Sequence, residues 1–173
     1  MRILGIDCAV ARTGYGVLEE ESGRSPSLVA RGVIVTSAKD AFPQRLRRIY
    51  NRIQKVVEEF APDQVALEDI FYHRNFRTAV KLGHVRAVAM LAAAEAGCPV
   101  AEYSPLEVKS GMVGYGRAEK HQVQSMVKNV LGLAQFPLPH DAADALAVAW
   151  CHLNTLVTRT RMGLPSDAEA RVR

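Results

Sequence analysis

A chain of 173 residues is long enough to bury a hydrophobic core as one domain without disulfide bonds or a structural metal. Hydrophobic residues make up 49% of the chain and charged residues 23%, which is typical of a globular protein and not of a disordered one. The formal net charge of +4 permits nucleic acid as a partner without establishing one.

The cysteines and the N-terminus indicate a cellular compartment. Cys8, Cys98 and Cys151 are widely spaced, and no two of them have the spacing of a disulfide or a metal site, which is typical of a reducing environment. The N-terminus lacks the pattern of an export signal, and no apolar stretch is long enough to span a bilayer. We therefore expect a cytoplasmic protein without a membrane segment.

The first predicted strand, Arg2–Asp7, is a short apolar run that ends in a carboxylate. Such a run is typical of a buried central strand, and its C-terminal end would lie at the rim of the sheet, where α/β sheets bind ligands. An acid at the end of a strand often does no more than begin a turn, so Asp7 alone does not predict a function. Residues 13–18 and 28–36 predict two further strands, and we expect three neighbouring antiparallel strands.

Residues 43–60 predict a helix, because Pro43 suits a first helical turn and apolar residues recur every three or four positions. The predicted outer face of this helix is basic. For this face a solvated helix surface is favoured over DNA contact. Its cations are Arg45, Arg48, Arg52 and Lys55.

A second strand that ends in an acid follows at residues 63–68. Its last residue, Glu68, would lie beside Asp7 if the two strands are neighbours. Asp69 follows directly, and because two like charges at one sheet edge repel each other, a merely solvent-facing Glu68 is the less favourable interpretation.

The segment after Glu68 mixes aromatic and basic residues, and here core packing and stacking on an unpaired base are equally compatible with Phe71 and Tyr72. Residues 75–96 then predict a long alanine-rich helix that packs on more than one side, including across a subunit interface. Residues 100–103 predict the last short strand. The following Ser104-Pro105-Leu106-Glu107 is a capping box, which makes Glu107 a structural cap and not a catalyst.

A basic segment with three glycines lies between residues 111 and 120 and predicts a flexible loop ahead of a helix N-terminus. This arrangement suits a phosphate, although the segment has no Walker pattern. Arg117 and Lys120 supply positive charge there. Taken singly, Lys109 and Lys120 are more often plain surface lysines than phosphate contacts.

The last predicted helix begins near His140 and carries Asp141 and Asp144 on one face. The positive end of the helix dipole favours ionised carboxylates in its first turns, which explains Asp141. It does not explain Asp144, which lies among apolar residues and requires a cation nearby. Residues 159–173 predict a flexible tail, so the predicted domain spans residues 1–158.

Four acids are thus expected to converge, namely Asp7, Glu68, Asp141 and Asp144. Crowded carboxylates raise one another's pKa unless hard cations such as Mg²⁺ or Mn²⁺ neutralise them. Two such ions about 3.5 to 4 Å apart activate a water and stabilise the leaving oxygen of a phosphodiester. The four acids therefore predict metal-assisted phosphodiester hydrolysis.

An ordered set of short motifs resembles the RuvC family of bacterial Holliday-junction resolvases over about residues 1–158. The set is specific because its members occur in the family's order and spacing. The motifs are Gly5-Ile6-Asp7, Thr13-Gly14-Tyr15-Gly16-Val17, Lys81-Leu82-Gly83, Val113-Gly114, Ala118-Glu119-Lys120 and Asp141-Ala142-Ala143-Asp144-Ala145-Leu146-Ala147.

The resemblance implies an RNase H-like α/β fold with a five-stranded mixed sheet flanked by helices, and a homodimer. It implies Mg²⁺, with two ions and with Mn²⁺ as a substitute, and paired nicks in strands of like polarity at a four-way DNA junction. It also implies cooperation with the RuvA–RuvB branch-migration complex. The family's four catalytic and metal-binding carboxylates match Asp7, Glu68, Asp141 and Asp144.

The resemblance also implies DNA contacts. The family's phosphate-contacting lysines match Lys109 and Lys120, and its base-stacking aromatic residue matches Phe71. We further predict that the basic residues Arg74, Lys81 and Arg117 bind DNA.

The chain departs from the family pattern directly after Asp7, where Cys8-Ala9 replaces Pro-Gly. A glycine at this position would permit a turn with positive φ, which alanine resists, so the geometry of this loop is expected to differ from that of the family. Because all four acids are present, activity is still expected.

Three other functions share some of these sequence features. A kinase of the actin and sugar-kinase type also begins with a strand ending in aspartate, but it requires a glycine-rich phosphate hairpin and two domains, which this chain lacks. A non-catalytic junction-binding module would be favoured by the loss of one acid, and none is lost. An RNase H-like nuclease acting on structured RNA is the nearest alternative. The basic, aromatic-containing stretch of residues 71–77 and the long alanine-rich helix fit a dimeric junction enzyme better, and this distinction rests mainly on the resemblance.

Overall fold

The computed structural model describes residues 1–21, 24–69, 75–133 and 135–164. Strands and helices follow the predicted order, and their ends lie close to the predicted ones. The strands are β1 Arg2–Asp7, β2 Arg12–Glu19, β3 Ser27–Val35, β4 Gln64–Glu68 and β5 Val100–Tyr103. The helices are α1 Phe42–Phe60, α2 Phe76–Glu95, α3 Pro105–Val113, α4 Lys120–Val130 and α5 His140–Arg161.

The five strands form one mixed sheet in the order β3-β2-β1-β4-β5. The first three strands are antiparallel neighbours, as predicted, whereas β4 is parallel to β1 and β5 is parallel to β4. The central strand is β1, and the apolar residues of β1 and of its parallel neighbour β4 are fully buried because helices cover both faces of the sheet.

Two hydrophobic cores lie on opposite faces of the sheet. On one face, Leu4 and Ile6 of β1 belong to the core formed with α1 and α2. On the other face, Ile3 belongs to the core formed with α3, α4 and α5. The alternation of β1 side chains therefore joins both helical layers to the strand that ends in Asp7.

Three details differ from the sequence expectations. Gly111 lies inside α3, and the loop before α4 begins only at Gly114, whose φ is 86°. Arg45 does not belong to the solvated face of α1, because its guanidinium donates hydrogen bonds to Thr36 Oγ1 and to the Val10 carbonyl, each at 3.0 Å. Helix α5 continues to Arg161, so the first residues of the predicted flexible tail, 159–161, are helical.

Among the described residues, no helix is long and apolar enough to cross a membrane.

Candidate active site

Asp7 and Glu68 lie side by side at one edge of the sheet. Strands β1 and β4 are parallel, and Ile6 is opposite Leu67, so the residue that follows each of them reaches the same edge. Both carboxylates line a pocket of about 220 Å³ together with Asp144, Lys109 and Lys120. The predicted juxtaposition of the two strand-end acids is thus confirmed.

Helix α5 reaches these strand ends because two glycines leave room for its backbone. A Cβ atom on Gly5 would lie 2.1 Å from the Ala145 carbonyl oxygen, and a Cβ on Gly14 would lie 1.9 Å from that of Asp141. Any larger residue would force α5 away from β1 and β2. The small size of these two glycines therefore determines how closely α5, with Asp141 and Asp144, approaches the sheet.

The pocket raises the pKa of its strand-end acids. Burial, followed by the charges of Asp144 and Glu68, raises the pKa of Asp7 to about 7. Burial and the charge of Asp144 also raise the pKa of Glu68. Without a bound cation, the site consequently holds Asp7 partly protonated near neutral pH.

Lys120 provides the cation that the position of Asp144 requires. Its Nζ lies 2.6 Å from Oδ2 of Asp144, and this ion pair raises the pKa of Lys120. The carboxylate side chain is 18% exposed and the lysine side chain 68% exposed, so the lysine approaches from the solvent side. Asp144 Oδ2 is buried and has no hydrogen-bond donor other than this ammonium among the described residues.

Asp141 lies one helical turn before Asp144 and does not line the pocket itself. Its Oδ2 accepts a hydrogen bond of 2.8 Å from Nε of Arg12, a partly exposed residue at the start of β2. Its charge still contributes, as the smallest cause, to the raised pKa of Asp7. The structure thus brings Asp7, Glu68 and Asp144 into one pocket and places Asp141 at its margin.

Gln124 holds the other oxygen of Asp144, a contact that the sequence interpretation missed. Its Nε2 donates to Asp144 Oδ1 at 3.0 Å, and its Oε1 lies 2.6 Å from Nδ1 of His140. Gln124 is only 8% exposed. It occupies the buried face of α4 beside Val123 and Val127, and a polar residue in that apolar stripe was the signal available in the sequence.

Arg86 resolves the crowding of Glu68 and Asp69. Its guanidinium is 11% exposed and lies 2.7 Å from Oδ1 of Asp69 and 2.8 Å from Oε2 of Glu102. The backbone N–H of Asp69 also donates to the Tyr103 carbonyl at 2.7 Å. The chain directly after Glu68 is thereby fixed to α2 and β5, and the negative charge of Asp69 is neutralised.

The predicted DNA-contacting residues occupy different positions. Lys109 and Lys120 line the acidic pocket, whereas Arg117 is exposed outside it. Lys81 lies in the second turn of α2, with its ammonium 5.8 Å from the centre of the Phe42 ring. Phe71 and Arg74 lie outside the described residues.

The Cys8-Ala9 turn has an ordinary backbone. Among the described residues, only Ala61 has a positive φ without being glycine, so this turn does not require a left-handed conformation. The Thr13 hydroxyl closes the turn by donating to the Ala9 carbonyl at 2.7 Å. Cys8 is buried, and burial and the charge of Asp7 raise the pKa of its thiol to about 12, which disfavours the reactive thiolate.

The donor set of the pocket fits a hard divalent cation. Asp7, Glu68 and Asp144 offer carboxylate oxygens, which are the ligands that Mg²⁺ and Mn²⁺ prefer. Among the described residues, no three acidic, histidine or cysteine side chains are already arranged to hold a metal ion. In this structure the positive charge beside Asp144 is the Lys120 ammonium.

Comparison with known proteins identifies the family. The family model described as "Crossover junction endodeoxyribonuclease RuvC" matches residues 3–152. The chain belongs to the RuvC family. A RuvC of Koribacter versatilis is 50% identical over 162 residues, which cover 94% of this chain and 98% of the relative. A RuvC of Syntrophomonas wolfei is 52% identical over 155 residues and 90% of each chain.

A solved structure supports the same RuvC fold. The Thermus thermophilus RuvC in complex with Holliday junction substrate superposes with a TM-score of 0.85 at 36% identity, covering 94% of this chain and 96% of that one. The RNase H-like α/β fold implied by the motifs is thereby confirmed.

Proposed function

We propose that this RuvC-family chain resolves four-way DNA junctions by paired, metal-dependent hydrolysis of phosphodiesters in strands of like polarity. One observation supports this proposal above the others. Three carboxylates and two lysines line one pocket at the ends of β1 and β4, and Asp7 there has a pKa of about 7. Family members are named as crossover junction endodeoxyribonucleases, and the pocket has the chemistry such a nuclease requires.

The proposed metal ligands are Asp7, Glu68, Asp141 and Asp144. Two Mg²⁺ ions, with Mn²⁺ as a substitute, would activate the attacking water and stabilise the leaving oxygen. The protein's own contribution is to hold the four carboxylates at fixed positions and to keep Asp7 ready to lose its proton at neutral pH. Lys120 neutralises Asp144 in the metal-free protein, and Asp144 would be one of the carboxylates that hold the ions.

Two of the proposed DNA contacts line this pocket, and the other two in the described part of the chain do not. Lys109 and Lys120 line it and would bind the phosphates next to the cleaved bond. Arg117 lies in the loop before α4 and Lys81 in α2, and each would bind the DNA backbone outside the pocket. Phe71 and Arg74, which follow Glu68 closely in the chain, stay predictions for base stacking and DNA contact.

A homodimer is supported by the outer face of α2. Apolar residues recur on it at helical spacing, and three of them are well exposed, with Phe76 at 83%, Val80 at 41% and Leu91 at 51%. A second copy of the chain would cover this stripe and place two active sites on one junction. Leu91→Glu should therefore give monomers in analytical ultracentrifugation, whereas Glu58→Gln on α1 should leave dimers.

Two further expectations complete the proposal. The protein would act in the cytoplasm, since its three cysteines are all unpaired. It would cooperate with the RuvA–RuvB branch-migration complex, which presents four-way junctions.

The decisive experiment compares a labelled synthetic four-way junction with a linear duplex of the same sequence on a denaturing gel, with Mg²⁺ and with chelator. We expect symmetric nicks in the junction only, and only with metal. Asp144→Asn should bind the junction like the unsubstituted protein and fail to cut it. Cutting of an RNA junction in preference to DNA would contradict the proposal, as would cleavage that persists in chelator.

A further inference from the structure

Helix α1 carries a basic surface on the face turned away from the sheet. Four exposed cations and two polar residues line a shallow depression of about 340 Å³. These six residues are Gln44, Arg47, Arg48, Asn51, Arg52 and Lys55. The opposite face of the helix carries Ile49, Ile53, Val56 and Val57, which are buried.

The charges on this face lack partners in the part of the chain that the structure describes. Among the described residues, none forms an ion pair or a hydrogen bond with the side chain of Arg47, Arg48, Arg52 or Lys55. Arg48 and Arg52 stand four residues apart on one helix, where like charges repel. The depression is therefore a concentration of uncompensated positive charge.

Helix stability does not explain this charge distribution. The dipole of a helix favours acidic residues in the first turn and basic residues in the last. Helix α1 has no acid in its first turn and no basic residue in its last, which instead contains Glu58 and Glu59. Because this arrangement of charges is the reverse of the stabilising one, it is better explained by the binding of an anion than by helix stability.

The position of α1 relates this surface to the active site. Arg45, in the first turns of the helix, donates a hydrogen bond of 3.0 Å to the carbonyl of Val10, three residues after Asp7. The helix thus starts at the sheet edge where the acidic pocket lies. From Arg47 to Lys55 the basic face extends about 12 Å along the helix, which corresponds to the rise of three to four base pairs.

We infer that the basic face of α1 binds the phosphate backbone of a duplex arm of the DNA substrate, outside the pocket that holds the cleaved strand. Three of its four cations are arginines, whose planar guanidinium suits the paired oxygens of a phosphate. A row of positive charges complements the regularly spaced phosphates of DNA, and such contacts do not depend on the base sequence. This inference rests on the proposed function only in taking DNA as the substrate.

A pair of charge-matched variants tests the inference. Arg48→Gln with Arg52→Gln removes two charges from α1, and Arg24→Gln with Arg161→Gln removes two exposed charges elsewhere. The dissociation constant of each protein for a fluorescent four-way junction is measured in chelator, where no strand is cut, at several salt concentrations. Circular dichroism and thermal unfolding establish that each variant is folded.

We expect the α1 variant to bind about tenfold more weakly at 0.1 M salt. The logarithm of its association constant should also fall less steeply with the logarithm of the salt concentration, with a slope smaller in magnitude by about two. The control pair should change both quantities by much less. Arg48→Lys with Arg52→Lys, which retains the charges, should keep the slope of the unsubstituted protein.

Equal changes in the two double variants would overturn the inference, because net charge alone would then explain them. An α1 variant that binds like the unsubstituted protein would overturn it as well, because the face would then make no contact with the junction. The proposed function is tested separately, by adding Mg²⁺ to the unsubstituted protein bound to the junction in chelator. If the junction is then cut but the α1 substitutions do not change binding, only the inference is refuted and the proposed function stands.

Discussion

The ammonium of Lys120 lies 2.6 Å from Oδ2 of Asp144, so that the first residue of α4 neutralises the second acid of α5. This ion pair belongs to the protein without metal. It explains how several carboxylates share one small pocket without a cation from solution.

Removal of the Lys120 charge should raise the pKa of both strand-end acids. The lysine's charge now lowers the pKa of Asp7 and of Glu68 against the effect of their burial. We expect Lys120→Gln to raise both values in the metal-free protein, as measured by carboxyl ¹³C NMR, and to slow junction cleavage about 10²-fold. Lys128→Gln, on the same helix outside the pocket, is the control. An unchanged pKa of Asp7 would show that the ion pair is not formed in solution.

The ionisation of Asp7 should make stability depend on pH. Its folded pKa of about 7 lies above the unfolded value of about 3.9, so the folded state binds the proton more strongly between these values. Its contribution to the free energy of unfolding is therefore present at pH 4 and is lost as pH rises to 7. The loss amounts to about 1 to 4 kcal/mol, since Asp7 is partly exposed.

The pH dependence of stability that His152 contributes has the opposite sign, so a variant is needed to isolate the contribution of Asp7. Burial lowers the pKa of His152 to about 4, so its contribution is present above pH 6.5 and is lost as the pH falls towards 4. Urea unfolding of the unsubstituted protein and of Asp7→Asn across pH 4 to 8 isolates the Asp7 contribution. Stability should rise with pH more steeply in Asp7→Asn. Parallel curves would contradict the raised pKa of Asp7.

Loss of the Gln124 hydrogen bond should weaken metal binding. The amide of Gln124 fixes Oδ1 of Asp144 and is itself held by His140. Partners that orient a metal ligand are typically worth 10- to 100-fold in affinity, so we expect Gln124→Met to lower Mn²⁺ affinity by about that factor. Electron paramagnetic resonance of the DNA-free protein measures free Mn²⁺ directly. Ser125→Ala is the exposed control on the same helix, and equal affinities in all three proteins would exclude the role.

Two glycine substitutions should have opposite effects. A Cβ on Gly14 would lie 1.9 Å from the Asp141 carbonyl oxygen, whereas a Cβ on Gly83 would have nothing within 4 Å. Gly14→Ala should destabilise the fold by about 3 kcal/mol or more and abolish cleavage, because α5 must move. Gly83→Ala, inside α2, should stabilise it by up to about 1 kcal/mol. Calorimetry of both proteins checks the pair, and equal melting temperatures would refute the packing argument.

The sequence predicted the parts of the site that local pattern determines. Asp7 and Glu68 each end an apolar run, and the pairing of β1 with β4 then brings them together. Contacts between distant segments could not be predicted in this way, because nothing in the neighbourhood of Arg12 indicates Asp141, 129 positions later in the chain. Gly111 misled the interpretation for a related reason: a glycine serves both turns and close packing, and here it packs against Cys151 within α3.

The close contact of α5 with β1 and β2 bears on how the metal preference of this enzyme could be redesigned. Backbone meets backbone there without space for even a methyl group, so substitutions in that seam cannot adjust the spacing of the carboxylates by small steps. Helix α4 is different, because it contributes Lys120 and Gln124 through side chains alone. A library that aims at a larger or softer cation should therefore vary α4 and leave the glycines and the acids unchanged.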